Sequence, residues 1–305
     1  MTDASPPPEV RALLEERNAA RAARDWATAD ALRDRMAALG WEVQDSGGTS
    51  TARPKLATGT GTDLPSLLDA PPELALGLQV LAEDHPDDLR RFLRGLAQHP
   101  PAVPWELVVV ANEPAFELAP LLAEVDLPIA VVDSQGRLGW GDAVTLGLRR
   151  SRAEVTVLLD TSLEPIGDAW TPLLAAFESP DVGIAGGWGV TSRDARQFED
   201  APPGEVDAVE GYCLAIRRAA LRAVGGVDGR FRYYRNADLD LSFAVRDAGW
   251  RAVRTEPLPF ERHEHRGWTS LPEAERDRLS KRNFYRFLKR WGSRRDLLLH
   301  PDDAA

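Results

Sequence analysis

Between Leu74 and Leu159, short apolar runs at Leu76–Leu81, Leu107–Val110, Ile129–Val132 and Val155–Leu159 alternate with helical patterns at Asp87–Leu96, Pro114–Leu122 and Asp142–Arg150. Strands that are apolar throughout need cover on both faces, and a chain that returns through a helix after each strand lays its strands parallel. Runs at Val182–Ala185, Tyr212–Ile216 and Arg251–Thr255, with a helix at Arg218–Val224, extend the pattern. The expected fold is α/β, a mostly parallel Rossmann-like sheet flanked by helices. Ligands of such open sheets lie beyond the carboxyl ends of the strands. Asp84, Asn112, Asp133 and Asp160 stand at or just after those ends.

Composition narrows the class. An apolar fraction of 43% over 305 residues suffices for one large domain and an appendage. A formal net charge of −11 opposes broad adhesion to nucleic acid. The single cysteine, Cys213, excludes an internal disulfide framework and reads as a buried structural thiol. The first residues are polar and proline-rich, unlike a secretory leader, and no run approaches the ~20 apolar residues of a membrane span. A cytoplasmic location is expected. The basic, aromatic helix from Lys281 to Trp291 either packs on the main domain or touches the inner membrane face.

Residues Gly225 to Trp250 carry the densest signal. A glycine turn leads through Phe231, Tyr233 and Tyr234 to Asp238 and Asp240, at the start of an amphipathic helix closed by Gly249. Leu241, Val245 and Ala248 share one face, which anchors the helix and leaves its acidic end free. Carboxylates there complement the helix dipole and stay ionised, as a proton acceptor must. The plainer alternative makes Asp238 an N-cap.

The order of landmarks from Leu76 to Trp291 resembles a family 2 glycosyltransferase with the GT-A fold. The landmarks are Glu83-Asp84 after the first strand, Trp105 to Asn112, Leu138-Gly139-Trp140-Gly141-Asp142 opening a helix, and Val155 to Pro165. Glu210-Gly211, Gly225-Gly226-Val227-Asp228, Ala237-Asp238-Leu239-Asp240, His263 and the helix around Asn283-Phe284 complete them. The resemblance implies an inverting transfer of a sugar from a nucleotide-sugar donor to a glycan or other hydroxyl acceptor. Asp238 matches the catalytic base, and Asp84, Asn112, Asp142 and Asp160 fall among donor-binding positions. Asp160 matches the first acid of the D-x-D motif. With Ser162 and His263 it would hold a divalent cation, Mg²⁺ or Mn²⁺. His265 is an alternative to His263 there, and both also read as surface polar residues. Tyr234 and Asp240 are expected on the acceptor side.

The match departs from the family pattern at three positions. Ala111 and Ala237 stand where acids are usual, and Ser162 replaces the second acid of D-x-D. Glu164 lies two residues further on, which preserves the face on a strand but guarantees nothing beyond a strand end. A non-catalytic GT-A binding or scaffold module is therefore the alternative.

Residues 1–43 form a predicted helical hairpin. Its first helix follows Pro6-Pro7-Pro8. Its second is capped by Asp25, presents Trp26, Ala29, Leu32 and Met36 on one face, and ends at Gly40. Leu14 to Arg21, Arg24 to Asp34 and Leu39-Gly40-Trp41 resemble the C-terminal helical tail of cysteinyl-tRNA synthetase, and the likeness continues into Val43 to Thr49. That module implies tRNA contact through a stripe of Arg17, Arg21, Arg24, Arg33 and Arg35. Interleaved Glu15, Glu16, Asp30 and Asp34 favour a protein-docking or dimerising surface instead. The synthetase's catalytic signatures are missing from the sequence. Residues 44–73, rich in Gly, Ser, Thr and Pro, read as a flexible linker, and 293–305 as a C-terminal tail.

Overall fold

A computed structural model describes residues 6–39, 41–46, 49–54 and 64–302. The chain divides into two compact units, Met1–Thr58 and Gly59–Ala305.

In the first unit, α1 (Pro8–Ala22) opens with proline in its first turn, where the missing N–H costs nothing, and α2 (Trp26–Ala38) follows. Asp25 caps α2 by accepting from the Thr28 amide at 3.1 Å and the Thr28 hydroxyl at 2.7 Å. Val10, Leu13, Leu32 and Met36 form the core. Trp26 was expected on that apolar face but is 59% exposed. The expected linker is also corrected at its start. Strands β1 (Trp41–Ser46) and β2 (Thr49–Pro54) pair antiparallel, and Val43 and Ala52 pack on the helical core. Arg17 is buried and donates to the Ser50 hydroxyl at 2.9 Å, which removes it from any exposed arginine stripe. Gly40, residues 55–63 of the linker and residues 303–305 of the tail lie outside the described residues.

The second unit starts with β3 (Leu74–Ala82), α3 (Pro86–Gln98), β4 (Trp105–Ala111), α4 (Leu118–Leu122) and β5 (Ile129–Asp133). It continues through α5 (Trp140–Arg150), β6 (Ala153–Leu159), β7 (Leu163–Pro165), α6 (Trp170–Ala175) and β8 (Val182–Gly186). Short strands β9 (Gly189–Ser192), β10 (Phe198–Asp200), β11 (Gly204–Glu205) and β12 (Ala208–Val209) lead to β13 (Cys213–Arg217) and α7 (Arg218–Val224). The last elements are α8 (Ala237–Asp247), β14 (Arg251–Arg254), β15 (Phe260–Arg262), α9 (Arg266–Thr269) and α10 (Glu273–Trp291). The helix expected from Pro114 begins only at Leu118.

The main sheet has eight strands in the order β11-β14-β8-β13-β6-β3-β4-β5. Strands β6, β3, β4 and β5 pair parallel, as do β8 and β14, while β13 runs against both β6 and β8. Strand alternation divides the core into two layers. Leu76, Leu78, Val80, Val155 and Val157 meet Phe92 and Leu96 of α3 and Trp170 of α6. Leu158, Ile184, Leu214 and Ile216 meet Val144 of α5, Leu221 of α7 and Leu241 of α8. Residues Leu64 to Glu73, expected as linker, contribute buried Leu68 to the second layer. The carbonyls of Leu67 and Ala70 there accept from Arg218. Burial pushes the Cys213 thiol up to about 12, so it is an inert core residue. Among the described residues no helix is long and apolar enough to cross a membrane.

Candidate active site

Two adjoining cavities, each of about 310 Å³, open at the carboxyl ends of β3 and β6. Trp140, Asp160, Gly211, Tyr234 and His265 line both. The first is walled by Glu83, Asp84 and His85 after β3, by Arg137 and Leu138 before α5, and by Arg232 and Arg266. The second is walled by Glu210, Tyr212, Arg235, Asn236, Asp238 and Phe284. The acid that ends β6 and the acid that begins α8 therefore face one continuous space.

Asp160 is held by its neighbours. Its backbone amide donates to Tyr212 O at 3.0 Å, its Oδ1 accepts from the Ser162 amide at 2.8 Å, and Nε2 of His265 lies 3.0 Å from Oδ2. Burial alone would raise this carboxyl. The bond and charge of His265 outweigh it, so Asp160 titrates below the usual carboxylate range and His265 above the usual imidazole range. The ring of Tyr234 stacks on that of His265 at 4.5 Å.

Asp238 has the opposite electrostatics. Asn236 (φ 65°) turns the chain into α8, so Asp238 sits inside the first turn and is not the N-cap. Its Oδ2 accepts from Gly211 N–H at 2.9 Å and its Oδ1 from Leu239 N–H at 3.0 Å. Burial pushes its pKa up, partly opposed by those amides. Glu210 beside it is also raised, by burial and then by the Asp238 charge. Ala237, where an acid is usual, is fully buried in the core, a place that would disfavour a charge.

Other expected site residues separate into those that line the cavities and those that do not. Asp84 lines the first cavity, gripped by both terminal nitrogens of Arg137 at 2.9 and 2.7 Å. Asn112 is buried behind that wall. Its amide nitrogen donates to Glu83 at 2.6 Å and its Oδ1 accepts from Leu138 N–H at 2.8 Å, so it braces two lining residues without facing the cavity. Asp142 lines neither cavity; it projects from α5 toward Gly229, where a Cβ would lie 2.1 Å from its Oδ1. Asp240, expected on the acceptor side, is a buried structural acid that accepts from Arg290 at 2.9 Å and Trp291 Nε1 at 2.8 Å; it joins α8 to α10 and lines neither cavity. Tyr234, expected on the acceptor side, lines both cavities.

The histidine alternatives are resolved by register. Strands β15 and β7 pair antiparallel, Glu261 opposite Glu164 and Arg262 opposite Leu163, and His263 N–H extends the ladder to Ser162 O at 2.8 Å. His265 thereby reaches Asp160, while His263 Nε2 lies 2.7 Å from Glu164 Oε2. The expected set of Asp160, Ser162 and His263 is corrected to a direct Asp160–His265 pair, with Ser162 in the wall of the same cavity. Glu83, Glu210, Arg137, Arg232 and Arg235 were not picked out as site residues. Glu83, beside Asp84, and Glu210, next to the glycine whose amide holds Asp238, carry a usable signal in the sequence.

Comparison with known proteins agrees with this fold. Residues 81–243 match the glycosyl transferase family 2 model, and residues 3–53 match the cysteinyl-tRNA ligase anticodon binding domain. The first unit is 63% identical over 38 residues to the cysteine--tRNA ligase of Nitratidesulfovibrio vulgaris, covering 12% of this chain but only 8% of the ligase. Among solved structures, GalNAc-T7 with UDP, GalNAc and Mn²⁺ superposes with a TM-score of 0.60 at 14% identity, over 73% of this chain and 50% of that one. The Pyrobaculum calidifontis mannosyltransferase PcManGT, with GDP-Man and Mn²⁺, gives 0.52 at 15% identity over 77% of each chain. A mycobacterial protein gives 0.52 at 16% identity, over 87% of this chain and 85% of that one. These likenesses fix the fold as GT-A. With more than half of its residues matched, the chain belongs to glycosyl transferase family 2.

Proposed function

We propose that the chain is an inverting glycosyltransferase that moves a sugar from a nucleotide-diphosphate donor to an acceptor hydroxyl, with the donor in the first cavity and the acceptor in the second. The observation that carries this reading is the placement of Asp160 and Asp238 on one continuous space with opposite pKa displacements. Two acids driven apart in this way take different roles.

Asp238 accepts the proton of the acceptor hydroxyl as the oxygen attacks the anomeric carbon. The bond from that carbon to the diphosphate breaks on the opposite side, and its electron pair leaves with the nucleoside diphosphate. The two backbone amides on Asp238 fix its direction, and its raised pKa makes it a stronger base than an exposed carboxylate. In the first cavity, Arg137, Arg232 and Arg266 supply positive charge for a diphosphate. A carboxylate oxygen and an imidazole nitrogen 3.0 Å apart, Asp160 with His265, make a donor set that suits Mn²⁺ better than Mg²⁺, which prefers oxygen alone. Such a cation, when bound, would offset the charge of the leaving diphosphate.

The test uses the whole chain and a panel of nucleotide-sugars with glycan acceptors. Transfer by the wild type, lost in Asp238→Asn with donor binding retained, is the expected result. Equal transfer rates in the two proteins would remove the assignment of Asp238.

A further inference from the structure

We propose a second divalent-cation site, separate from the Asp160–His265 pair and formed by Glu164, Glu261 and His263 on one face of the β7–β15 ladder. One ligand atom from each of the three lies within 4.8 Å of the others. The arrangement follows from register. Glu164 and Glu261 are directly opposed, and His263, two residues beyond Glu261, shares its face and reaches diagonally to Glu164 at 2.7 Å. Like charges directly opposed across a strand pair are destabilising, and a shared cation removes that repulsion.

Ser162 stands across the ladder from His263 and accepts its N–H at 2.8 Å through the carbonyl, which holds His263 in register with Glu164. Arg91 approaches Glu164 only at 3.9 Å through Nε, and its hydrogen bond goes to Asp88 at 2.8 Å. The Glu164–His263 contact is therefore the main charge partner that a cation would have to share.

Two carboxylates and an imidazole favour Zn²⁺ over Mg²⁺ or Ca²⁺, which prefer oxygen alone. The consequence is positional. Chain leaving β6 passes Asp160 on its way into β7, and chain leaving β15 passes His263 on its way to His265. A cation bound to both strands would clamp the segments that bring His265 onto Asp160.

The experiment is calorimetric titration of Zn²⁺ into the tagless, chelator-treated full chain without any nucleotide, so that it does not depend on transfer activity. The titration is repeated in His265→Ala, His263→Ala and Glu261→Gln, the last at an exposed position that leaves the packing intact. Saturable binding that persists in His265→Ala and weakens about tenfold or more in both other variants is expected. Absence of saturable binding in the wild type, its loss in His265→Ala, or wild-type affinity in either other variant overturns the proposal.

Discussion

The end of β6 and the start of α8 present the same functional group in opposite electrostatic settings. Asp160 and Asp238 are both half-buried in the cavity wall, and burial pushes each up. A protonatable imidazole at 3.0 Å reverses the effect at Asp160, whereas at Asp238 two backbone amides and then the charge of Arg235 oppose it without reversing it. The first acid is therefore the more readily ionised of the two, and the second holds a proton more readily than an exposed carboxylate. Role follows from the partner, not from the residue type.

The largest expected effect breaks the comparison at Asp238. Asp238→Asn removes the proposed base, and kcat should fall by about a thousandfold while donor affinity stays within about twofold, read by transfer assay and calorimetry. Asp160→Asn acts on the other side of the pair. Donor affinity in the presence of Mn²⁺ should fall by about a hundredfold, about 2.7 kcal/mol, read by the same titration.

Asp240 sharpens the contrast from within the same helix. It lies two residues from Asp238 but is committed to Arg290 and Trp291, so Asp240→Ala should cost about 2 kcal/mol in urea unfolding. Activity per folded molecule should be unchanged.

The smallest effect is in pH. Because the folded pKa of Asp238 is raised, transfer should fail on acidification at a higher pH than an ordinary carboxylate would set. Glu210→Gln removes a neighbouring negative charge and should move that limb slightly toward lower pH, seen in the profile of kcat/KM. Ionising a buried acid also weakens the fold. The stability contribution of Glu210 is present below its unfolded pKa and lost as pH rises through its raised folded pKa. Glu210→Gln should therefore raise Tm at neutral pH and leave it unchanged in acid.

The sheet was legible because apolar runs such as Leu76–Leu81 and Val155–Leu159 report burial on both faces, and the expected strands fall within a residue or two of the observed ones. Site residues were less legible, since a polar residue at a strand end can face the cleft or its supporting wall. Asp84 faces it and Asn112 braces it, and nothing local in the sequence distinguishes them. His265 displaced His263 for a related reason. Which histidine meets Asp160 depends on pairing between β7 and β15, some hundred residues apart along the chain. Trp26 shows the limit of periodicity: a shared helical face does not bury a side chain at the helix end.

The most direct measurement is a paired calorimetric titration of UDP and GDP with Mn²⁺ into wild type, Asp160→Asn and Asp238→Asn. Nucleotide held by the wild type and by Asp238→Asn, but lost from Asp160→Asn, is the outcome that a sugar-diphosphate cleft with one charge-holding acid and one proton-accepting acid requires. Equal affinity in all three proteins, or none in the wild type at millimolar nucleotide, would contradict it.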